Sequence, residues 1–340
     1  MHMADALLSP AVGAAMCAVG AAANAYAVKK IKKDELCEKK IPIMGVMGAF
    51  VFAAQMINFT IPATGASGHI GGGILLAAMI GGFPALLSLS AVLIIQCLFF
   101  ADGGLLALGC NIFNIGIIPC LIIYPLIFAP LIKNGRTAGR ITAASVIGSV
   151  LGLQLGAFCV VLMTLLSGVT ELPFGTFLLL MQPIHLAIGL AEGVITAAIL
   201  CFVYKMRPEI MESTVSKTAI KSGVPIKNIL IALAAATLFA GGALSLFASS
   251  DPDGLEWAIE KTAGVKELEA EGAVFEGAAS VQAAVAFMPD YEFKNEGEDG
   301  FGISAAVAGI VGGAITFIAA GAAAAGISAF KKKRKGESPV

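Results

Sequence analysis

Three histidines, His2, His69 and His185, are all that this 340-residue chain contains, and the first sits where its backbone can act as well as its ring. A free chain-start amine followed by His offers three nitrogens in one plane: the Met1 amine, the deprotonated backbone amide of His2, and His2 Nδ1. The amine and amide close a five-membered ring on a metal, and the amide and Nδ1 close a six-membered one. A large second residue normally blocks removal of the initiator, which predicts that Met1 keeps its free α-amino group. One further nitrogen completes a square. Planar nitrogen sets suit Ni(II) or Cu(II), admit Co(II), and suit tetrahedral Zn(II) less. Ligation expels the amide proton, so affinity is expected to rise with pH.

His69 is the candidate for the fourth nitrogen. It lies in TGASGHIGGG (Thr64–Gly73), whose glycines allow the tight path of a loop folding over a small ligand; an incidental His in a flexible connector is the other reading. His185 has no chelating neighbour and no such loop, and fits a ligand role less well. It shares a helical face with Glu192, about 10 Å further along. Glu192 is the one carboxylate well inside an apolar run, and intramembrane charges are functional candidates. It either takes up the proton released on ligation or holds the fold by pairing. Asn111 and Asn114 stand on one helical face and either orient His69 by a hydrogen bond or tie neighbouring helices together. Asp102 with Gly103 and Gly104 reads as helix-end punctuation. Seven scattered cysteines without a CxxC pair read as small buried hydrophobes.

The elements that position these residues follow from composition. With 58% hydrophobic and 13% charged residues and a mean hydropathy of +0.89, the chain is no soluble enzyme. One Trp and four Tyr do not furnish the aromatic girdles of a barrel, so the fold class is an all-α integral membrane protein. A net charge of −1 gives no case for nucleic acid as a partner. Nine candidate spans are read: Ala4–Val28, Pro42–Ile61, Ile70–Gly82, Pro84–Ala101, Asn111–Ile132, Ile141–Ser167, Pro183–Tyr204, Asn228–Ser249 and Ile303–Phe330. The third is too short to cross unaided and, being Gly-rich, is expected to be broken or tilted against a cavity. No basic residue precedes the first run, so the start reads as mature rather than as a secretory signal.

Basic residues set the orientation. Lys29–Lys40, Lys133–Arg140, Lys205–Lys227 and Lys331–Lys335 hold 19 of the 22 Lys and Arg, and all four stretches belong in the cytoplasm by the positive-inside rule. That is satisfied with an extracytoplasmic amino terminus, a cytoplasmic carboxyl terminus and Ile70–Ala101 counted as two passes. It places Ser250–Gly302, with 13 of the 23 acidic residues, outside. Residues 205–227, polar and carrying Pro208 and Pro225, read as a cytoplasmic linker. They divide a seven-helix metal-binding module (1–204) from a two-helix accessory module (228–340) with an acidic outer loop. That loop gathers cations weakly, shapes the entrance over His2 and His69, or is simply solvated.

Small residues repeat at helical spacing in the first span (Ala14, Ala18, Ala22, with Ala21 and Ala25) and the second (Gly45, Ala49, Ala53), surfaces that let helices approach closely. The chain has no G-x-x-x-x-G-K-[ST] loop for ATP and no HExxH, and a filled square leaves no open position for catalysis. A transport component energised by a partner, a gradient-driven secondary carrier of divalent metal, and a metal enzyme or chaperone are the three classes in play, in that order.

The start MHMAD (Met1–Asp5), the loop SGHIGGG (Ser67–Gly73), FADGGLLALGCNIFNIG (Phe100–Gly116), HLAIGLAEGVIT (His185–Thr196) and DPDGLE (Asp251–Glu256) together resemble the CbiM/NikM family. These are nickel and cobalt substrate-binding components of energy-coupling factor importers, here joined to an N-type module carrying the PDGLE signature. The resemblance implies metal ligation by the Met1 amine, the His2 amide and ring, and the His69 ring. It further implies a six-helix core with an extra amino-terminal helix, Ni(II) or Co(II) as transported substrate, and a transmembrane coupling subunit with ABC ATPases as partners in a prokaryotic cell membrane. Met3, Ala4 and Ala6 depart from the family's Ile-Pro-Asp-Gly-Phe run, although Asp5 is kept. In the family, stripes of this kind, on the first and second spans alike, dock the coupling subunit, and packing inside the chain is the alternative.

Overall fold

The computed structural model describes residues 1–33, 37–216, 226–265, 268–293 and 301–335. Part of the expected linker, residues 217–225, lies outside them. A short turn (Asp5–Leu7) leads into α1 (Pro10–Lys33), which opens on Pro10, a residue pre-set for a first helical position. Helix α2 (Cys37–Gln55) follows, then a hairpin of β1 (Phe59–Ile61) and β2 (Ala66–Gly68), antiparallel with Phe59 opposite Gly68. Next come α3 (Gly73–Ile80), α4 (Gly82–Phe99) and α5 (Leu108–Lys133). The middle of α5, Ile112–Phe128, is wound wide as a π-helix and holds Pro119 and Pro125. Helix α6 (Ala138–Ser167) starts at Thr137, whose hydroxyl accepts from Arg140 N–H, and stops at left-handed Gly168. It runs back along α7 (Phe174–Met206). The rest is α8 (Pro208–Ser216), α9 (Ile226–Gly242), α10 (Gly254–Ala263), α11 (Ala273–Val285) and α12 (Phe301–Lys335).

Among the described residues seven helices are long and apolar enough to cross a membrane: α1, α4, α5, α6, α7, the stretch Leu230–Phe247 and α12. The protein is a multi-pass, all-α membrane protein. The apolar part of α2, Pro42–Gln55, is shorter. The third expected span is only the eight residues of α3, every one of them buried. Its start and the start of α4 meet consecutive residues of α5: a Cβ at Gly73 would lie 2.5 Å from Pro119 and one at Gly82 2.4 Å from the Cys120 carbonyl. Thr214 of α8 closes the far end of α3, donating to Met79 O at 3.0 Å. From the hairpin the chain passes through α3, breaks at left-handed Gly81 and continues as α4.

Close approach by small residues joins the helices. On α7, Cβ atoms at Gly189 and Gly193 would sit 3.0 and 2.6 Å from the Cα atoms of Val150 and Val146 on α6. The stripe on α2 is used inside the chain, with Gly45 against Phe317 of α12 and Ala53 against Gly241 of α9. The stripe on α1 is not: Ala14, Ala18, Ala21, Ala22 and Ala25 are exposed, while Gly13 and Gly20 face Leu106 and Ile112.

Candidate metal-binding site

The chain start is held in place by α5 and by the turn before it. Met3 N–H donates to Asn111 Oδ1 at 2.7 Å, and Met3 O accepts from Asn111 Nδ2 at 3.2 Å and from Gly104 N–H at 2.9 Å. Asp5 accepts from Ala107 N–H at 2.9 Å, and burial raises its carboxyl above the ordinary value against the pull of that turn's amides. Asn114 Nδ2 lies 3.7 Å from the sulfurs of Met3 and Met163. Neither asparagine reaches His69, whose Nδ1 is 3.1 Å from Ile70 O. The expectation that they orient the His69 ring is corrected: they fix the path of residues 1–5. The reason is that both face Met3, whose N–H and C=O pair with the Asn111 amide and whose sulfur lies beside Asn114.

The hairpin turns through left-handed Ala63 and Gly65 and delivers His69 just past β2. Glu192 of α7 holds the stretch beyond it, accepting from Gly71 N–H at 2.8 Å and Gly72 N–H at 3.1 Å. Gly72 is left-handed at φ 76°, and a Cβ there would lie 2.6 Å from Val51.

These supports bring His2 and His69 together, with ring centroids 5.5 Å apart and planes inclined by 13°. Burial, then the chain-start ammonium and His2, push His69 down to about 4. His2 is also lowered, by burial above all, despite Asp102 beside it. Both imidazoles are therefore neutral near pH 7, the form a metal requires. Met1 N donates to Asp253 Oδ2, and His2 Nδ1 is 3.2 Å from Asp102 Oδ1. Asp102 is thus more than helix punctuation. Among the described residues no three His, Cys, Asp or Glu side chains converge as a metal set.

Asp253 arrives from the accessory region. Residues 249–257 add to the hairpin edge: Ser67 N–H donates to Pro252 O at 2.8 Å, Ser249 N–H to Asn58 O at 2.9 Å, and Trp257 Nε1 to Thr64 O at 3.0 Å. Asp253 also caps α10, accepting from Leu255 and Glu256 N–H, while Glu256 accepts from Asp253 N–H. Burial opposes ionisation of Asp253, but the chain-start ammonium holds its carboxyl well below the usual range. The Asp253 charge, then burial, pushes Glu256 up to about 7. Beyond α11, Phe287 and Asp290 N–H donate to Phe99 and Phe100 O. The result is a polar opening of about 360 Å³ over His2 and His69, lined by Asp102, Asp253, Glu256 and Glu292. Spacing gave no sign of Asp102 or Asp253 at the chain start; the PDGLE signature was the available signal.

His185 lines a cavity that His69 also borders. Its Nδ1 is 2.8 Å from Met181 O, and Gly254 of α10 packs on its ring, where a Cβ would come within 3.2 Å.

Residues 2–210 match the family model CbiM, cobalt uptake substrate-specific transmembrane region, and residues 227–329 match the PDGLE domain. A protein of Archaeoglobus fulgidus that carries the name of a fused nickel transport protein, NikMN, is 29% identical over 92% of this chain and 94% of its own. The cobalt transport protein CbiM of Geobacter sulfurreducens is 27% identical over 62% of this chain and 61% of its own. Among solved structures, that of a truncated transition metal transporter is similar at a TM-score of 0.53 and 29% identity, covering 61% of this chain and 99% of that one.

Proposed function

The chain belongs to the CbiM family and is a membrane-embedded component of nickel or cobalt transport, and on that footing we propose that it captures Ni(II) or Co(II) at the extracytoplasmic face for ATP-driven uptake. The ligands are the Met1 amine, the His2 amide and Nδ1, and the His69 ring. The observation that carries this is the stacking of His2 and His69 beside the Met1 amine. To bind, the metal displaces the amine proton and its Asp253 partner, turns His2 Nδ1 away from Asp102, and expels the His2 amide proton. Nickel fits the planar nitrogen set better than cobalt does.

The orientation follows the basic residues. Lys29, Lys30, Lys133, Arg140 and Lys205 sit at the helix ends opposite the site, which supports a reading with the site and the amino terminus outside and the carboxyl terminus in the cytoplasm. The partners in this reading are a transmembrane coupling subunit and ABC ATPases, because the chain has no phosphate loop of its own. Uptake of radioactive nickel by cells carrying this chain, with and without those subunits, tests the coupling. Uptake only in their presence is expected. Equal uptake without them, abolished by collapsing the proton gradient, would indicate a secondary carrier instead.

A further inference from the structure

Beneath the stacked histidines a cavity of about 40 Å³ lies between α5, α6 and α7, bordered by Met1 and His69 above and Glu192 below. A volume of that size has room for a few water molecules or a partly hydrated ion. Its walls carry polar atoms that meet no hydrogen-bond partner among the described residues: His185 Nε2, Asn114 Oδ1 and Ser149 Oγ. All three side chains are at most 2% exposed, in a region where an unpaired polar group costs free energy unless something occupies the space beside it. Glu192 adds a carboxylate, 3% exposed, with no Lys or Arg paired to it among the described residues. Its two oxygens each accept one amide bond, and an ionised carboxylate has capacity for about four. One imidazole nitrogen, two neutral oxygens and one negative charge form a mixed nitrogen and oxygen set that suits a divalent first-row metal and offsets part of its charge away from water.

We propose that this cavity is a second, inner binding place for the transported divalent metal, with His185 Nε2 as its nitrogen donor, Asn114 Oδ1 and Ser149 Oγ as oxygen donors, and Glu192 as countercharge. It rests on the reading of the outer site as the place of capture. The inner place receives the ion from His69, which borders both the outer opening and the cavity. It holds the ion more weakly than the outer site, because it offers no chelate ring and fewer nitrogens, and a weak stop is what onward passage requires. The imidazole is already set for this: Met181 O accepts from Nδ1–H, which leaves Nε2 as the free lone pair.

Cobalt(II) titration of the purified full chain tests it, reading bound equivalents by equilibrium dialysis and the visible d–d spectrum. The intact chain is expected to take up two equivalents of different affinity. His2→Ala, whose side chain is outside the cavity, should lose the tight equivalent and keep the weak one. His185→Gln and Ser149→Ala should each keep the tight equivalent and weaken the other by about tenfold or more, with thermal melting unchanged. One equivalent only in the intact chain, or a weak equivalent untouched by both cavity variants, would overturn the inner place. Survival of the tight equivalent in His2→Ala would instead overturn the outer reading, so the two failures are told apart.

Discussion

Asn111 shows at residue scale how the chain start becomes a ligand: one amide side chain satisfies both the N–H and the C=O of Met3. In Asn111→Ala the Met3 N–H loses its partner, while its C=O keeps Gly104 N–H, at a cost of about 1–3 kcal/mol, and the amine loses its fixed place. A folded protein with metal affinity reduced by about 10–100-fold is expected, checked by calorimetric titration beside a melting curve. Asp253→Asn separates two duties of one carboxylate. Asn still caps α10, but the ion pair that competes with metal for the Met1 amine is gone. Nickel binding at pH 6 is therefore expected to strengthen relative to the intact chain, while the profile still rises with pH through loss of the amide proton. Because burial pushes His69 down to about 4, protonation of that ring adds nothing to the profile above pH 5. Of these residues, Met1, His2 and His69 were legible because a chelate is local chemistry. Asp253 was not: its partner lies 252 residues away, and no spacing rule reaches that far.

Two elements carry the loop over the site, and each has its own weak point. The hairpin's exit is fastened to α7 through Glu192, and Glu192→Gln replaces one acceptor by an N–H that faces an amide donor. Stability is expected to fall by about 1–3 kcal/mol, with weaker metal binding because His69 follows the loop; Glu192→Ala should cost at least as much. Helix α10 carries the opposite sensitivity. Glu256, pushed up to about 7 beside Asp253, keeps a proton in the fold that the unfolded chain has lost above about 4.5. The native state then binds more protons than the unfolded one, so this group's contribution to stability declines as pH rises through about 7. Glu256→Gln keeps an acceptor for the capping box and removes that decline. It should raise the melting temperature at pH 8 more than at pH 5, and an equal shift at both would contradict the assignment. The short α3 was foreseen as unable to cross, yet the contacts that seat it were not, since they depend on Pro119 and Cys120 meeting Gly73 and Gly82.

Across the whole molecule, the accessory region adds a strand's edge to the hairpin and a carboxylate to the chain start, while its helices pack on α2. Apolar runs and basic punctuation revealed the helices and their alternation; the docking of residues 249–257 on the hairpin required the fold. Orientation is checked by single cysteines on a cysteine-free background: one at Ser250 should react with a membrane-impermeant maleimide on intact cells, and one in place of Arg136 only after lysis. The reverse pattern would place the site inside. The account's central claim is that the chain start itself ligates the metal. Its most direct test is nickel binding by purified protein, of verified intact start, carrying one extra residue ahead of Met1. Loss of affinity by more than about 100-fold, or about 2.7 kcal/mol, matching that of His2→Ala, is the result the account expects. Undiminished binding by the extended chain would contradict it.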